Sequence, residues 1–353
     1  MITNRCYRAL AIAAFLLLGT STAQATDIAA ESPVAPPEHR RPADQTFLTF
    51  PEWFLVYSSN EYATFLGDDR RPSEFPFFGH LDEFWESYAA VYRVTKDDRP
   101  FNAGYNLMIM VIGLSTTVEY TIHAGYESLF GRLAEETRID GQTDEEKYGA
   151  RVARNYVEFI RMNAWYDFDF LGALRGLWTE TSFIGPDMPR KWERKYALTT
   201  EYLVKAAYGR VLERATRATY DVPLPVTAIV VNKLPPGITS RLPQLAVLKT
   251  MADGTALITV PRYDIFKRYA MALAVEGVKF EEIAGNRSVI LISVLTKNGW
   301  QPTSKEARVL FTQPILTRPG IERTAFAVPV AALGNTLVGL DLPGVELERI
   351  YDY

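Results

Sequence analysis

Thr255-Ala256-Leu257-Ile258-Thr259-Val260-Pro261 is followed, sixteen residues past its proline, by Gly277-Val278-Lys279-Phe280-Glu281-Glu282-Ile283. The same punctuation returns at Thr324-Ala325-Phe326-Ala327-Val328-Pro329 and, fifteen residues past that proline, at Gly344-Val345-Glu346-Leu347-Glu348-Arg349-Ile350. In each copy a β-branched apolar run ends in Val-Pro, and a second run begins at Gly-Val. Such runs fit the pleated, half-buried surface of a strand, while proline closes the ladder because it has no donor. Between the runs of the first copy, residues 263–276 read as a helix, and Ser288–Leu295 (SVILISVL) reads as a further buried strand. Val247-Leu248 and Val309-Leu310 lead into the two copies at matching places. Strand–helix–strand written twice predicts an internal duplication over residues 224–353, in ferredoxin-like order on one antiparallel sheet. This module contains neither His nor Cys.

Working outward, the aromatic content changes at Asp221-Val222-Pro223-Leu224-Pro225, where closely spaced prolines exclude helix interior. Residues 44–220 hold 33 of the 44 Phe, Tyr and Trp, against nine in 221–353. The first of these segments reads as an aromatic-rich all-α domain. Pro51 suits a first helical turn and Gly67 the end of the same helix. Leu81, Phe84, Trp85, Tyr88 and Tyr92 share one helical face, as do Tyr148, Val152, Tyr156 and Phe159. Further helices are expected near 104–136, 167–178 and 189–217. The fold class is therefore α+β, a helical domain followed by the duplicated module.

At the N-terminus Arg5 and Arg8 precede the ten apolar residues 9–18, and Ala23-Gln24-Ala25 follows. That is the pattern of a cleaved secretory signal over residues 1–25, too short in its apolar part to span a bilayer. Cleavage removes two arginines, no acid and the single cysteine Cys6, so the net charge of −4 becomes −6 and disulfides are excluded. Residues 26–43 carry four prolines and few large apolar side chains, which predicts a disordered linker. An exported, periplasmic or secreted protein is expected. The acidic balance argues against nucleic acid as a partner.

Chemistry-bearing residues are sparse. Gly-x-Ser-x-Gly, Walker and Gly-x-Gly-x-x-Gly motifs are missing from the sequence. Glu119, His123 and Glu127 recur at i, i+4 and i+8, a donor set for Zn or Fe if they converge, and otherwise the edge of a helix. His80, ahead of Phe84 and Trp85 near a helix start, is a second candidate as a neutral base. No cofactor is expected. Phe101–Val118 is an uncharged run of 18 residues, diluted by Asn, Gly, Ser and Thr, and reads as a buried central helix. Residues 190–217 hold eight basic and three acidic side chains beside the apolar stripe Trp192, Tyr196, Leu203, Ala207 and Val211. Their cationic face, with Arg190, Lys191, Trp192, Arg194 and Lys195, is the expected contact with an anionic membrane or a membrane-protein partner. A non-catalytic, membrane-surface docking protein is the leading expectation. A carrier of an apolar small-molecule ligand and a metal enzyme using Glu119, His123 and Glu127 are the alternatives.

Overall fold

The computed structural model describes residues 34–351 except 98, 140 and 220–223, so the expected signal and the start of the linker lie outside the described residues. Two compact units share the chain. The first comprises the described residues of Met1–Glu52 with Asp82–Gly113 and Leu224–Tyr353; the second comprises Trp53–Leu81 and Leu114–Pro223.

The class is α+β. Helices α1 (Thr49–Gly67), α2 (Phe77–Thr95), α3 (Ala103–Tyr126), α4 (Asp144–Ile160), α5 (Phe170–Glu180) and α6 (Met188–Thr219) precede the strands. Helix α3 continues through a π-helical turn, Glu127–Gly131, into a last turn at Arg132–Glu135. The strands follow as β1 (Val226–Val231), β2 (Ala246–Thr250), β3 (Ala256–Pro261), helix α7 (Phe266–Val275) and β4 (Phe280–Ile283). Next come β5 (Val289–Lys297), β6 (Arg308–Pro314), β7 (Ile321–Pro329), helix α8 (Leu333–Gly339) and β8 (Val345–Ile350).

The duplication is larger than the sequence pattern suggested. Each copy is a complete four-stranded antiparallel sheet, ordered β2-β3-β1-β4 in the first and β6-β7-β5-β8 in the second. The copies agree in detail. Ile229 pairs with Ile283 as Ile292 pairs with Ile350, and the register slips at Val230/Val231 as it does at Ser293/Val294. Arg262 N–H donates to Pro225 O at 3.0 Å, and Val330 N–H to Ser288 O at 2.9 Å. Gly277 and Gly344 hold the same left-handed conformation, φ 73° and 84°, ahead of the last strand.

The two copies do not share one sheet, which corrects the single ferredoxin-like sheet. A strand has two edges, and β3 spends both on β2 and β1, as β7 spends both on β6 and β5. What the sheets share is a core. Ile229, Ile258 and Val260 of the first meet Ile292, Phe326 and Val328 of the second, with Leu273 and Leu333 of the two helices. Burying these side chains against each other removes their apolar surface from water, the main favourable term. The outer faces are covered by the N-terminal segment. Ala35 packs on Ala228, Val230 and Leu257, and the Phe50 ring meets Phe311 edge-on at 4.9 Å. Residues 34–43 are thus ordered, with short 3-10 turns at Pro37–His39 and Ala43–Gln45, where a disordered linker was expected.

In the second unit, α4 begins with a reciprocal cap. Thr143 N–H donates to Glu146 Oε2 at 2.8 Å and Glu146 N–H to Thr143 Oγ1 at 3.3 Å, which satisfies two otherwise orphaned donors. Tyr148 and Val152 of α4, Phe170 and Leu177 of α5 and Tyr202 of α6 form one core cluster. Phe65, Phe75, Phe77 and Ala124 form a second.

Candidate functional site

Helices α3 and α6 lie antiparallel and are joined by an ionic seam. Glu135 at the end of the α3 extension meets Arg190 at 3.2 Å. Glu127 accepts both guanidinium nitrogens of Arg194, at 2.9 and 3.0 Å. Glu119 meets Lys205 at 3.1 Å. The π turn sits where the seam is tightest, and Gly131 within it is required there. A Cβ at 131 would overlap the Glu127 carboxylate that Arg194 holds.

Helix α4 adds carboxylates from the other side. Arg190 also contacts Glu146 at 2.7 Å, and Lys191 and Lys195 both reach Glu145, at 3.1 and 3.4 Å. Arg190 and Lys195 are fully buried, Lys191 and Arg194 nearly so. The expected cationic face is therefore corrected: these four side chains point into the unit and are matched by carboxylates. Burying them unpaired would be prohibitive, which is why each cation has its glutamate. Of the five expected contact residues only Trp192 is on the surface, 42% exposed. Burial pushes the Glu127 carboxyl up against the opposing pull of Arg194. Burial acts the same way on Glu201, but Lys205 and His123 overcome it and hold that carboxyl low.

The last rung gathers the expected metal donors differently. Glu119 and His123 do come together, but the third member is Glu201 of α6, all three offering ligand atoms within 4.8 Å of one another. Glu127 belongs to Arg194 instead. Such a donor set suits a divalent cation, yet the Lys205 ammonium stands in it, 2.7 Å from Glu201. A metal would bind there only with Lys205 displaced.

His80 lies in the first turn of α2, one turn inside the helix rather than before it. Its Nδ1 is 3.2 Å from Ser58 Oγ, its Nε2 3.6 Å from Glu61, and Phe75 stacks on it at 4.7 Å. Ser58 Oγ is also 2.5 Å from the Tyr120 hydroxyl. The contacts run serine–histidine–glutamate, and Ser58 and His80 are both buried. The group ties α1, α2 and α3 together.

Outward, the same two helices are apolar. Leu114, Val118, Ile122, Leu129 and Phe130 are exposed along α3 and its extension, and Trp192, Tyr196, Val204, Tyr208 and Val211 along α6. Ser115 Oγ and Tyr208 OH, 2.8 Å apart, set the rows side by side. No Asp, Glu, Lys or Arg is exposed from Leu114 to Phe130 or from Met188 to Tyr208. The helical stretch Ala103–Glu135 is the one long and apolar enough to cross a membrane among the described residues, and only 28% of its apolar window is buried. The expectation of a buried central helix is corrected accordingly. Charges inside and apolar side chains outside invert the usual amphipathic arrangement, and a contiguous exposed apolar face marks an interaction surface.

Comparisons with protein-family models, with curated proteins and with solved structures find no match.

Sequence periodicity marks the apolar stripe of α6 but places its cations on the surface, whereas the structure turns those cations inward. A further signal in the sequence is the complementary spacing of Glu119, Glu127 and Glu135 against Lys205, Arg194 and Arg190, which pairs two helices in antiparallel register.

Proposed function

We propose that this is an exported, non-catalytic docking protein that sits on a membrane surface with the outer faces of α3 and α6 immersed in lipid. The observation that carries this reading is the inverted polarity of the pair. Polar groups turned to a protein interior and apolar side chains turned outward are what a hydrocarbon environment selects.

The opposite side of the same unit argues for lying on the bilayer rather than crossing it. Asp144, Lys147, Arg151, Arg154 and Glu158 are exposed along α4, and charges in hydrocarbon cost several kcal/mol each. One wet face and one apolar face describe an interfacial protein. The alternative of an apolar-ligand carrier draws less support. The cleft lined by Tyr148, Arg151, Asn155, Asp169 and Glu180 has polar walls, whereas an apolar ligand needs an apolar lining.

Vesicle flotation of the mature full-length chain tests the proposal. The wild type should float with vesicles and be released by alkaline carbonate. The double variant Val118→Asp, Ile122→Asp should stay folded by circular dichroism and remain at the bottom of the gradient. Failure of the wild type to float, or unchanged flotation of the variant, would refute it.

A further inference from the structure

Resting on that reading, we infer that the docking surface selects anionic phospholipid, whose headgroup phosphates pair with Arg210 and Arg214 at one end of the apolar face.

Helix α6 carries two classes of cation. Arg190, Lys191, Arg194, Lys195 and Lys205 are all matched by glutamates within the unit. Arg210 and Arg214 are exposed and, among the described residues, have no ion-pair partner. Of the seven α6 cations whose side chains are described, five are thus neutralised internally, and the other two stand one turn apart on the helix. Their position is fixed by helical geometry. Arg210 follows Leu203 by seven residues and Arg214 follows Ala207 by seven, a net rotation of roughly 20° in each case. Both therefore continue the outward apolar row rather than turning away from it.

At the far end of the paired surface the exposed Arg132, also without an ion-pair partner among the described residues, follows the row of Leu129 and Phe130. The uncharged face is thus closed by guanidinium groups at both ends. With the helices lying in the interface, long arginine side chains keep their stems on the apolar boundary and lift their heads to phosphate level. A guanidinium fork matches two phosphate oxygens, which an ammonium does not. The net charge is −4 for the full chain and −6 without residues 1–25, so the whole molecule is repelled by an anionic surface. Any preference for anionic lipid must come from this local placement, and it must fall with salt because the groups are exposed.

A basic residue held at an anionic surface strengthens partitioning about fivefold. The mature full-length protein is mixed with vesicles of phosphatidylcholine alone, or of phosphatidylcholine with phosphatidylglycerol, at low and at high salt. Wild type should prefer the phosphatidylglycerol vesicles at low salt and lose the preference at high salt. Arg210→Gln, Arg214→Gln should lower binding to them on the order of twentyfold while leaving binding to phosphatidylcholine unchanged. Equal wild-type binding to both vesicle types overturns the inference and leaves membrane docking standing, as does a preference that survives the double variant. A protein that binds neither vesicle, or that buries this face in a stable dimer by light scattering, overturns both.

Discussion

Arg194 closes both terminal guanidinium nitrogens on the carboxylate of Glu127, 67 residues earlier in the chain, and does so in the buried interior between α3 and α6. Bidentate pairing of this kind orients as well as attracts. It sets the rotation of both helices at once, and with it the side on which their apolar rows emerge. The outward apolar surface is in this sense a consequence of the seam beneath it.

Removing one partner should be far worse than removing both. Arg194→Ala leaves a buried carboxylate without its counter-charge and should cost about 3–5 kcal/mol, whereas Arg194→Met with Glu127→Leu should be close to neutral. Urea denaturation of the single and double variants measures this. A single variant within about 1 kcal/mol of wild type would show that the pair does not anchor the helices.

Two glutamates of the seam should respond to acid with opposite sign. Glu201 titrates below its ordinary value of 4.5, because Lys205 and His123 outweigh burial. Its contribution is present above 4.5 and is lost as pH falls through its lowered folded value. Glu127 titrates above 4.5, because burial outweighs Arg194. Its contribution is present below 4.5 and is lost as pH rises through its raised folded value. Glu201→Gln should flatten the acid limb of the stability profile, and Glu127→Gln should flatten the segment just above 4.5. Denaturation midpoints measured across that range would show the reverse if these environments were wrong.

Gly131→Ala is a sharper probe of the π turn. The added methyl competes with the Glu127 carboxylate for one position, and Arg194 holds that carboxylate in place. A loss of about 1–3 kcal/mol is expected, the range for a group forced into a packed site. Gly125, on the same helix with open space around its Cβ direction, is the control. Gly125→Ala should be neutral or slightly stabilising, since alanine favours helix.

The duplicated module should melt as one body. Ile229 and Ile292 occupy equivalent positions in separate sheets but belong to one core. Ile229→Ala and Ile292→Ala should each cost about 2–5 kcal/mol and shift a single transition. Two separate transitions in calorimetry, each moved by only one variant, would mean that the copies fold independently.

The sequence alone determined what depends on neighbours in the chain. The Val-Pro ends at Pro261 and Pro329 and the Gly-Val starts at Gly277 and Gly344 are local punctuation, and they located the copies and the class of each element. The spacing of Glu119 and His123 is likewise a property of one helix, and the two side chains do meet. Tertiary structure decided everything that needed a partner from elsewhere. Whether β3 pairs with β7 or with β1 and β2 is a competition for strand edges that no local pattern records. Glu201 joins Glu119 and His123 from 78 residues beyond the histidine, and Glu127 leaves them for Arg194. Most of all, a stripe at helical spacing is the same stripe whether it faces protein or solvent. Trp192, Tyr196 and Val211 turn outward because the charges on the opposite side of α6 find carboxylates on α3 and α4, and burying an ion with its counter-ion requires both helices to be present.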